Sequence, residues 1–524
     1  MHQHRRNTAI LLMFAAVLLL SNSSYAIPAF SRLYGTSCST CHLDFPKLND
    51  FGKAFKDAGF KFPKDDETFI KIPPVMLGSQ AQQELWPHTI WPGTIPGLPP
   101  IGLRYNTFLQ VVSQNRNIYS NRQNPGDPTA GFIPRTDFQS GLFSIFTAGN
   151  FGSDIAFWVD DDISVGGANS NGGLGDGYLK FVNIGRFLKL PTDFLSLRVG
   201  QFELDLPFSQ ARTWNLSGWD IYGQSNIGIP NATFGSPTVN NAFALENAAQ
   251  GVEFSGGHTY RGYHYSLAIV NQNTGGTPAA GANVPPEVQY TSDSNFKDIY
   301  GRLSYRFNLE KDPKSRNEIQ AAGNTGPRDH TYLNVGGLYF YGRSVQRFQG
   351  QNSAGDPVVL SAREPFYRAG ADFSFNYRTF NLFGQYVYGR DHNLLPLVPT
   401  NFVLPSGFIT GHPATFEGGF IEADYLALPW LMTIMRWDEV NSQADFLNGV
   451  GATPDTTTAP FLSPYRSARN RITPGVQFLI HANIKASFEY AIRPKQALAY
   501  DPTTGKALNP FRTSTATGAL EFVY

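Results

Sequence analysis

The sequence predicts an all-β fold: an antiparallel β-barrel of the outer-membrane kind, with about 16 strands over residues 101–524, behind a small N-terminal helical segment. Three observations carry this. From about residue 101, apolar and polar residues alternate with period two in segments of about 10 residues, the length a tilted strand needs to cross a bilayer. The connections between these segments run long and short in turn, as tight turns on one side of a membrane and long loops on the other would require. The composition also suits strands: 42 Phe, 24 Tyr and 51 Gly stand against only 16% charged residues.

Residues 1–26 read as a leader. Met1–Arg6 is a short basic start, and Ala9–Leu20 is an apolar run too short to span a membrane as a helix. Ser24 and Ala26 then supply small residues where a signal peptidase reads them, so the stretch is a secretory signal peptide. Export places the rest of the chain in an oxidising compartment. A formal net charge of zero, from 41 basic and 41 acidic residues, offers no field to draw phosphate, which excludes nucleic acid as the main partner.

Residues 27–75 carry the only two cysteines, Cys38 and Cys41, with His42 directly after. Chance would produce this triplet about once in 10⁴. C-x-x-C-H is the attachment site of a c-type haem: the thiols add across the two vinyl groups of one porphyrin edge, and the histidine gives a nitrogen to iron. A thioredoxin-type dithiol would want a βαβ context that this sequence lacks. A zinc site would need two more ligands nearby, yet the next histidine is His88. A disulfide across two residues closes too small a loop to gain much. The expectation is one covalent haem c, with Cys38 and Cys41 as thioethers and His42 as proximal ligand. After Phe45-Pro46, the positions Leu48, Phe51, Phe55 and Ala58 keep near-helical spacing up to Gly59, a C-terminal helix signal. Residues 76–100 are Pro- and Gly-rich and read as a linker or plug.

The expected strands are 101–113, 136–150, 153–163, 176–187, 194–203, 249–258, 261–271, 296–308, 331–343, 366–377, 379–389, 415–426, 428–438, 468–482, 483–493 and 515–524. The clearest puts Ile484, Ala486, Phe488, Tyr490 and Ile492 on one face and Lys485, Ser487, Glu489 and Arg493 on the other. The last ends on alternating Leu520, Phe522 and Tyr524, like the terminal strand signal read by barrel-assembly machinery. An even strand count brings both chain ends to the side of the short turns, the periplasmic side, so the haem segment enters from the periplasm. Two irregularities stand out: 309–330 is long for a short-side connection, and 72–83 has the pattern of a further strand.

A haem joined to a barrel makes physical sense as an electron conduit. Tunnelling decays steeply with distance, the apolar band of such a barrel is about 25 Å tall, and a haem drawn into the lumen shortens the gap on each side. Ile27–Arg32, Gly35–His42, Phe45–Gly52 and Phe55 together resemble the start of the fused monohaem cytochrome–porins, whose best-studied members are outer-membrane iron(II) oxidases. The matching motif covers residues 27–60. The resemblance implies an outer-membrane protein that takes electrons from an extracellular donor such as Fe(II) to a periplasmic carrier, a c-type cytochrome or similar, and so an iron(II):cytochrome c oxidoreductase. The alternative is a diffusion porin whose haem-bearing plug gates or senses.

The sixth iron ligand has several candidates: Met76 first, then His88, with His264 and His481 facing the lumen by alternation and Met432 and Met435 sharing a strand. A thioether would raise the reduction potential to suit a weak donor. Asp160-Asp161-Asp162 lies at an outer strand end, where oxygen ligands would attract a hard cation, though such runs are more often solvated turns. The connection 204–248, with Trp214 and Trp219, is long enough to fold inward as a constriction.

Overall fold

A computed structural model gives the fold. The residues outside its description are 1–28, 45, 63–65, 67–69, 72–74, 88–93, 96–100, 113–135, 152–153, 165–172, 210–214, 224–244, 246–247, 272–295, 310–328, 352–356, 392–413, 443–469, 494–498, 501–506 and 509–513. Sixteen strands close into one antiparallel barrel. They are β1 (Ile101–Val112), β2 (Thr136–Phe151), β3 (Ile155–Ser164), β4 (Gly173–Phe181), β5 (Ser196–Phe202), β6 (Ala249–His258), β7 (Arg261–Val270), β8 (Asp298–Asn308), β9 (Asp329–Gln351), β10 (Pro357–Arg378), β11 (Phe380–Asp391), β12 (Ala414–Leu428), β13 (Leu431–Ser442), β14 (Arg471–His481), β15 (Ile484–Ala491) and β16 (Thr515–Val523). Each pairs with its sequence neighbour, and the seam is β16 on β1, where Phe522 faces Tyr105.

The burial pattern is that of a soluble protein turned inside out. On β8, Arg302, Ser304 and Arg306 are buried toward the lumen while Leu303, Tyr305 and Phe307 are exposed. On β15, Lys485, Ser487 and Glu489 point in and Phe488 and Tyr490 point out, the two faces the sequence separates. Leu520, Phe522 and Tyr524 complete the apolar exterior on the last strand. Exposed aromatics gather beside the short turns, among them Tyr263, Tyr377, Tyr425 and Trp430. An apolar outer band edged by aromatics is the surface of a barrel set in lipid.

Every expected strand has its counterpart, with two real differences. β9 and β10 run to 23 and 22 residues because their hairpin continues well past the length that crosses a bilayer. Residues 72–83 add nothing to the barrel: Val75–Met76 forms a two-residue ribbon with Thr94–Ile95. The two strand ends flanking the long connection after β8, Asn308 and Asp329, lie on the short-turn side.

Before the barrel, α1 (Ala29–Tyr34) and α2 (Asp50–Asp57) flank the cysteine turn. The Asn49 side chain caps α2 by accepting from the backbone N–H of Gly52 at 2.8 Å. The helix ends at Gly59, whose φ of +77° only glycine adopts at no cost.

Candidate functional site

Cys38–Thr40 forms a single 3₁₀ turn, closed by the N–H of Cys41 donating to the carbonyl of Cys38 at 3.2 Å. Asn49 ties the turn to α2: its backbone N–H donates to the Cys41 carbonyl at 3.0 Å, and its side-chain amide donates to the Thr40 carbonyl at 3.0 Å. Gly52 makes this approach possible, since a β-carbon there would lie 2.1 Å from the Cys41 carbonyl oxygen. Behind the turn stands a cluster of rings. Tyr34 stacks on Phe62 with centroids 4.2 Å apart, and Phe30 meets Phe55 edge-on at 4.9 Å. Phe60 lies 5.7 Å from Phe30.

The donor set fits a c-type haem. His42 Nδ1 lies 3.2 Å from the carbonyl oxygen of Pro46. That bond fixes the ring and leaves Nε2 as the nitrogen with the lone pair, the arrangement that second-shell partners impose on ligating histidines. Burial pushes the His42 pKa down to about 4, so the imidazole is neutral, as a ligand must be. Burial also raises the Cys38 thiol and pushes Cys41 up to about 12. A redox dithiol needs thiols shifted the other way. Among the described residues no group of three or more His, Cys, Asp or Glu stands together in a way that could hold a metal ion. Cys38, Cys41 and His42 would hold the porphyrin, and the rings of α1 and α2 would supply its apolar surroundings.

This segment is seated inside the short-turn mouth of the barrel. Arg306 of β8 donates two hydrogen bonds to Asp50, at 2.8 and 2.7 Å, with its guanidinium 3.5 Å from the centroid of the Tyr332 ring. Lys47 pairs with Asp424 of β12 at 3.3 Å. Thr259, in the turn between β6 and β7, donates its N–H and its hydroxyl to Asp57 at 3.0 and 2.9 Å. Lys180 of β4 reaches the Asp57 carbonyl at 3.2 Å. Arg32 lies over the ring of Tyr524, and Phe60 packs on Trp158 of β3. The contacts therefore come from both sides of the seam and from the opposite wall, making the segment a plug. None of these partners carries a motif. Alternation puts Arg306 on the polar face of its strand, but only the closed barrel brings it to Asp50.

The connection after β5 folds inward, as its length allows. Trp219 stacks on Phe420 at 4.8 Å and donates its indole N–H to Glu422 at 2.8 Å. Leu216 and Ser217 donate backbone N–H bonds to Glu489, and Arg471 holds Asp220 at 3.1 Å. Ile221, Tyr222 and Leu245 are fully buried with Phe202 in an apolar cluster crossing the lumen. Trp214 lies outside the described residues. Between this loop and the plug is a cavity of about 310 Å³, lined by Lys53, Lys56, Asp57, Glu203, Asp205, His264, Arg302 and Glu422 among others.

The candidate sixth ligands scatter. Met76 is 55% exposed on its small ribbon and takes no part in the aromatic cluster. His88 lies outside the described residues. His264 does face the lumen, where its Nε2 sits 3.0 Å from Asp205. His481 is exposed at the end of β14. Met432 points inward and packs on Leu43, whereas Met435 points outward. Leu43 is the residue after His42 in an extended stretch. The aspartate run is likewise split. Asp160 and Asp162 share the face of the inward-packed Trp158, Asp161 takes the other, and Asp162 is bonded to the Ser144 hydroxyl.

No protein-family model and no curated protein sequence matches the chain. Among solved structures it is similar to the anion-selective porin from Comamonas acidovorans, with 11% identity over 81% of this chain and 98% of that one and a TM-score of 0.43. It is also similar to OmpF of Salmonella typhi, solved in complex with daunomycin, with 10% identity over 81% and 97% and a TM-score of 0.41. A third is the outer membrane channel DcaP of Acinetobacter baumannii, with 10% identity over 81% and 96% and a TM-score of 0.40. The porin-like closure of this chain is read from its own strand pairing.

Proposed function

We propose that this is an outer-membrane barrel whose periplasmic mouth is closed by a monohaem c-type plug, and that it carries electrons across the outer membrane. The observation that carries the reading is the seating of the Cys38–His42 turn inside the barrel mouth by ion pairs to the wall, with His42 already oriented through Pro46. A covalently bound haem would supply a one-electron Fe(III)/Fe(II) couple. The chain's own part is to hold that group at a fixed depth, surround it with rings and exclude lipid. The donor would be an extracellular one-electron reductant such as Fe(II), oxidised to Fe(III), and the acceptor a periplasmic c-type cytochrome or similar carrier.

A second reading is a diffusion porin in which the plug gates or senses. It is supported by the cavity of about 310 Å³ between plug and inward loop, lined by charged side chains. The two are separated with protein extracted from outer membranes. Covalent haem stain on the barrel band, with reduction of its spectrum by Fe(II), supports the conduit. Solute permeation in liposomes, with a haem that no external donor reduces, supports the porin.

A further inference from the structure

Of the apolar clusters among the described residues, two approach each other at β3. One joins Leu33, Tyr34, Phe55, Phe60 and Phe62 of the plug to Ala148 of β2 and Ala156 of β3, and the other joins the inward loop to the wall. Among the described residues, Trp158 of β3 is the one side chain packed against both. Its ring lies 5.5 Å from Phe60 of the plug and stacks on Phe146 at 6.0 Å with planes 10° apart. Its indole N–H donates to Asp160 Oδ1 at 2.9 Å, and the same oxygen accepts the N–H of Asp176 at 2.7 Å. From Phe60 the ring contacts continue to Phe55 at 6.3 Å, and from Phe55 to Tyr34 at 5.7 Å.

We propose that Trp158 is the positioning residue through which the lumen couples electronically to the plug, with Asp160 holding the indole in place. The inference rests on the electron-transfer reading above. It follows from the geometry because a series of ring contacts leads from Trp158, hydrogen-bonded to Asp160, through Phe60 and Phe55 to Tyr34 on the helix before the cysteine turn, and Trp158 is the wall ring that meets the plug. A large π-system between Phe60 and Phe146 couples better than an aliphatic side chain of the same bulk, and its hydrogen bond to Asp160 fixes its orientation. With a haem held by Cys38, Cys41 and His42, one electron would pass from an external reductant, which is oxidised, to the ferric iron, which is reduced. No bond forms or breaks, and the indole itself is not oxidised.

The test uses outer-membrane vesicles carrying the full chain, with a small membrane-impermeant ferrous complex added outside and haem absorbance followed by stopped flow. Trp158→Phe keeps the rate within about threefold, while Trp158→Leu slows it by about tenfold. Haem content, reduction potential and protection of the plug from trypsin stay at the wild-type level in both, and the same protection holds in a haem-free Cys38→Ser/Cys41→Ser chain carrying Trp158→Leu. Equal rates in Trp158→Leu and wild type overturn the inference and leave the electron-transfer reading standing. Parallel slowing in both variants, with loss of plug protection, also overturns it, since Trp158 would then be packing alone. A wild-type haem that the external complex fails to reduce overturns the electron-transfer reading and the inference with it.

Discussion

Removing Arg306 should unseat the plug. The guanidinium is 2% exposed and the Asp50 carboxylate 18%, and two hydrogen bonds of 2.8 and 2.7 Å join them. Truncating one member of a fully buried pair costs about 3–5 kcal/mol, because the survivor keeps a charge it can no longer match. Two features lower that figure here. Asp50 retains some contact with solvent, and Lys53 stands 3.5 Å away as a substitute cation. A value of about 2–3 kcal/mol is therefore expected for Arg306→Ala, which raises the population of undocked plug by about 10²-fold. Trypsin reads this directly, since Lys53 and Lys56 on α2 become cleavable only when the helix leaves the mouth. Where reclosing is faster than cleavage, the cleavage rate tracks the open population. Asp50→Ala and the double variant complete the cycle, and the double should be no worse than the weaker single by more than about 0.5 kcal/mol. Strictly additive losses, or an Arg306→Ala plug cleaved no faster than wild type, would refute the reasoning.

Gly52→Ala places a methyl 2.1 Å from the Cys41 carbonyl oxygen, so α2 must shift off the cysteine turn. The expected cost is about 1–3 kcal/mol, seen as less haem stain per mole of barrel. Cys38→Ser with Cys41→Ser should abolish covalent stain while heat-modifiable gel mobility of the barrel survives, because no strand residue is touched. Trp219→Ala removes the ring stacked on Phe420 and the bond to Glu422, a loss of about 3–5 kcal/mol for the inward loop. Single-channel recordings should then show a larger conductance than wild type, and an unchanged conductance would mean that this loop does not set the constriction.

The strands were legible because a bilayer leaves so little freedom. Lipid on one side and water or packed polar groups on the other impose period two on every crossing, so Ile484 to Ile492 could be assigned faces without a neighbour in view. Lengths were legible only where the membrane sets them, and β9 and β10 overrun their expected ends where that constraint stops. The cysteine turn could be singled out because Cys38, Cys41 and His42 fall within five positions, and the haem they would hold belongs to the proposed function. The plug's seat could not. Asp50 and Arg306 are 256 positions apart, Lys47 and Asp424 are 377 apart, and nothing local marks either member as half of a pair. Nor could alternation alone show that His264 would meet an aspartate on an inward loop, since loop conformation carries no period.

Depth in the barrel is the remaining point at which physics and expectation part. A haem segment drawn to mid-lumen would shorten the electron's path on both sides. The plug instead sits at the mouth, held by Thr259 in a two-residue turn and by Arg32 against the C-terminal Tyr524. On the electron-transfer reading the periplasmic gap is then nearly closed, while most of the apolar band, about 25 Å in such barrels, lies on the other side. Bare tunnelling across that height would be too slow to matter. Either a small donor descends the lumen or packed rings shorten the gap, and in both cases the lumen-facing wall beside the plug must take part. Trp158 and Asp160 occupy that wall. On that reading, β3 would do more than close a barrel.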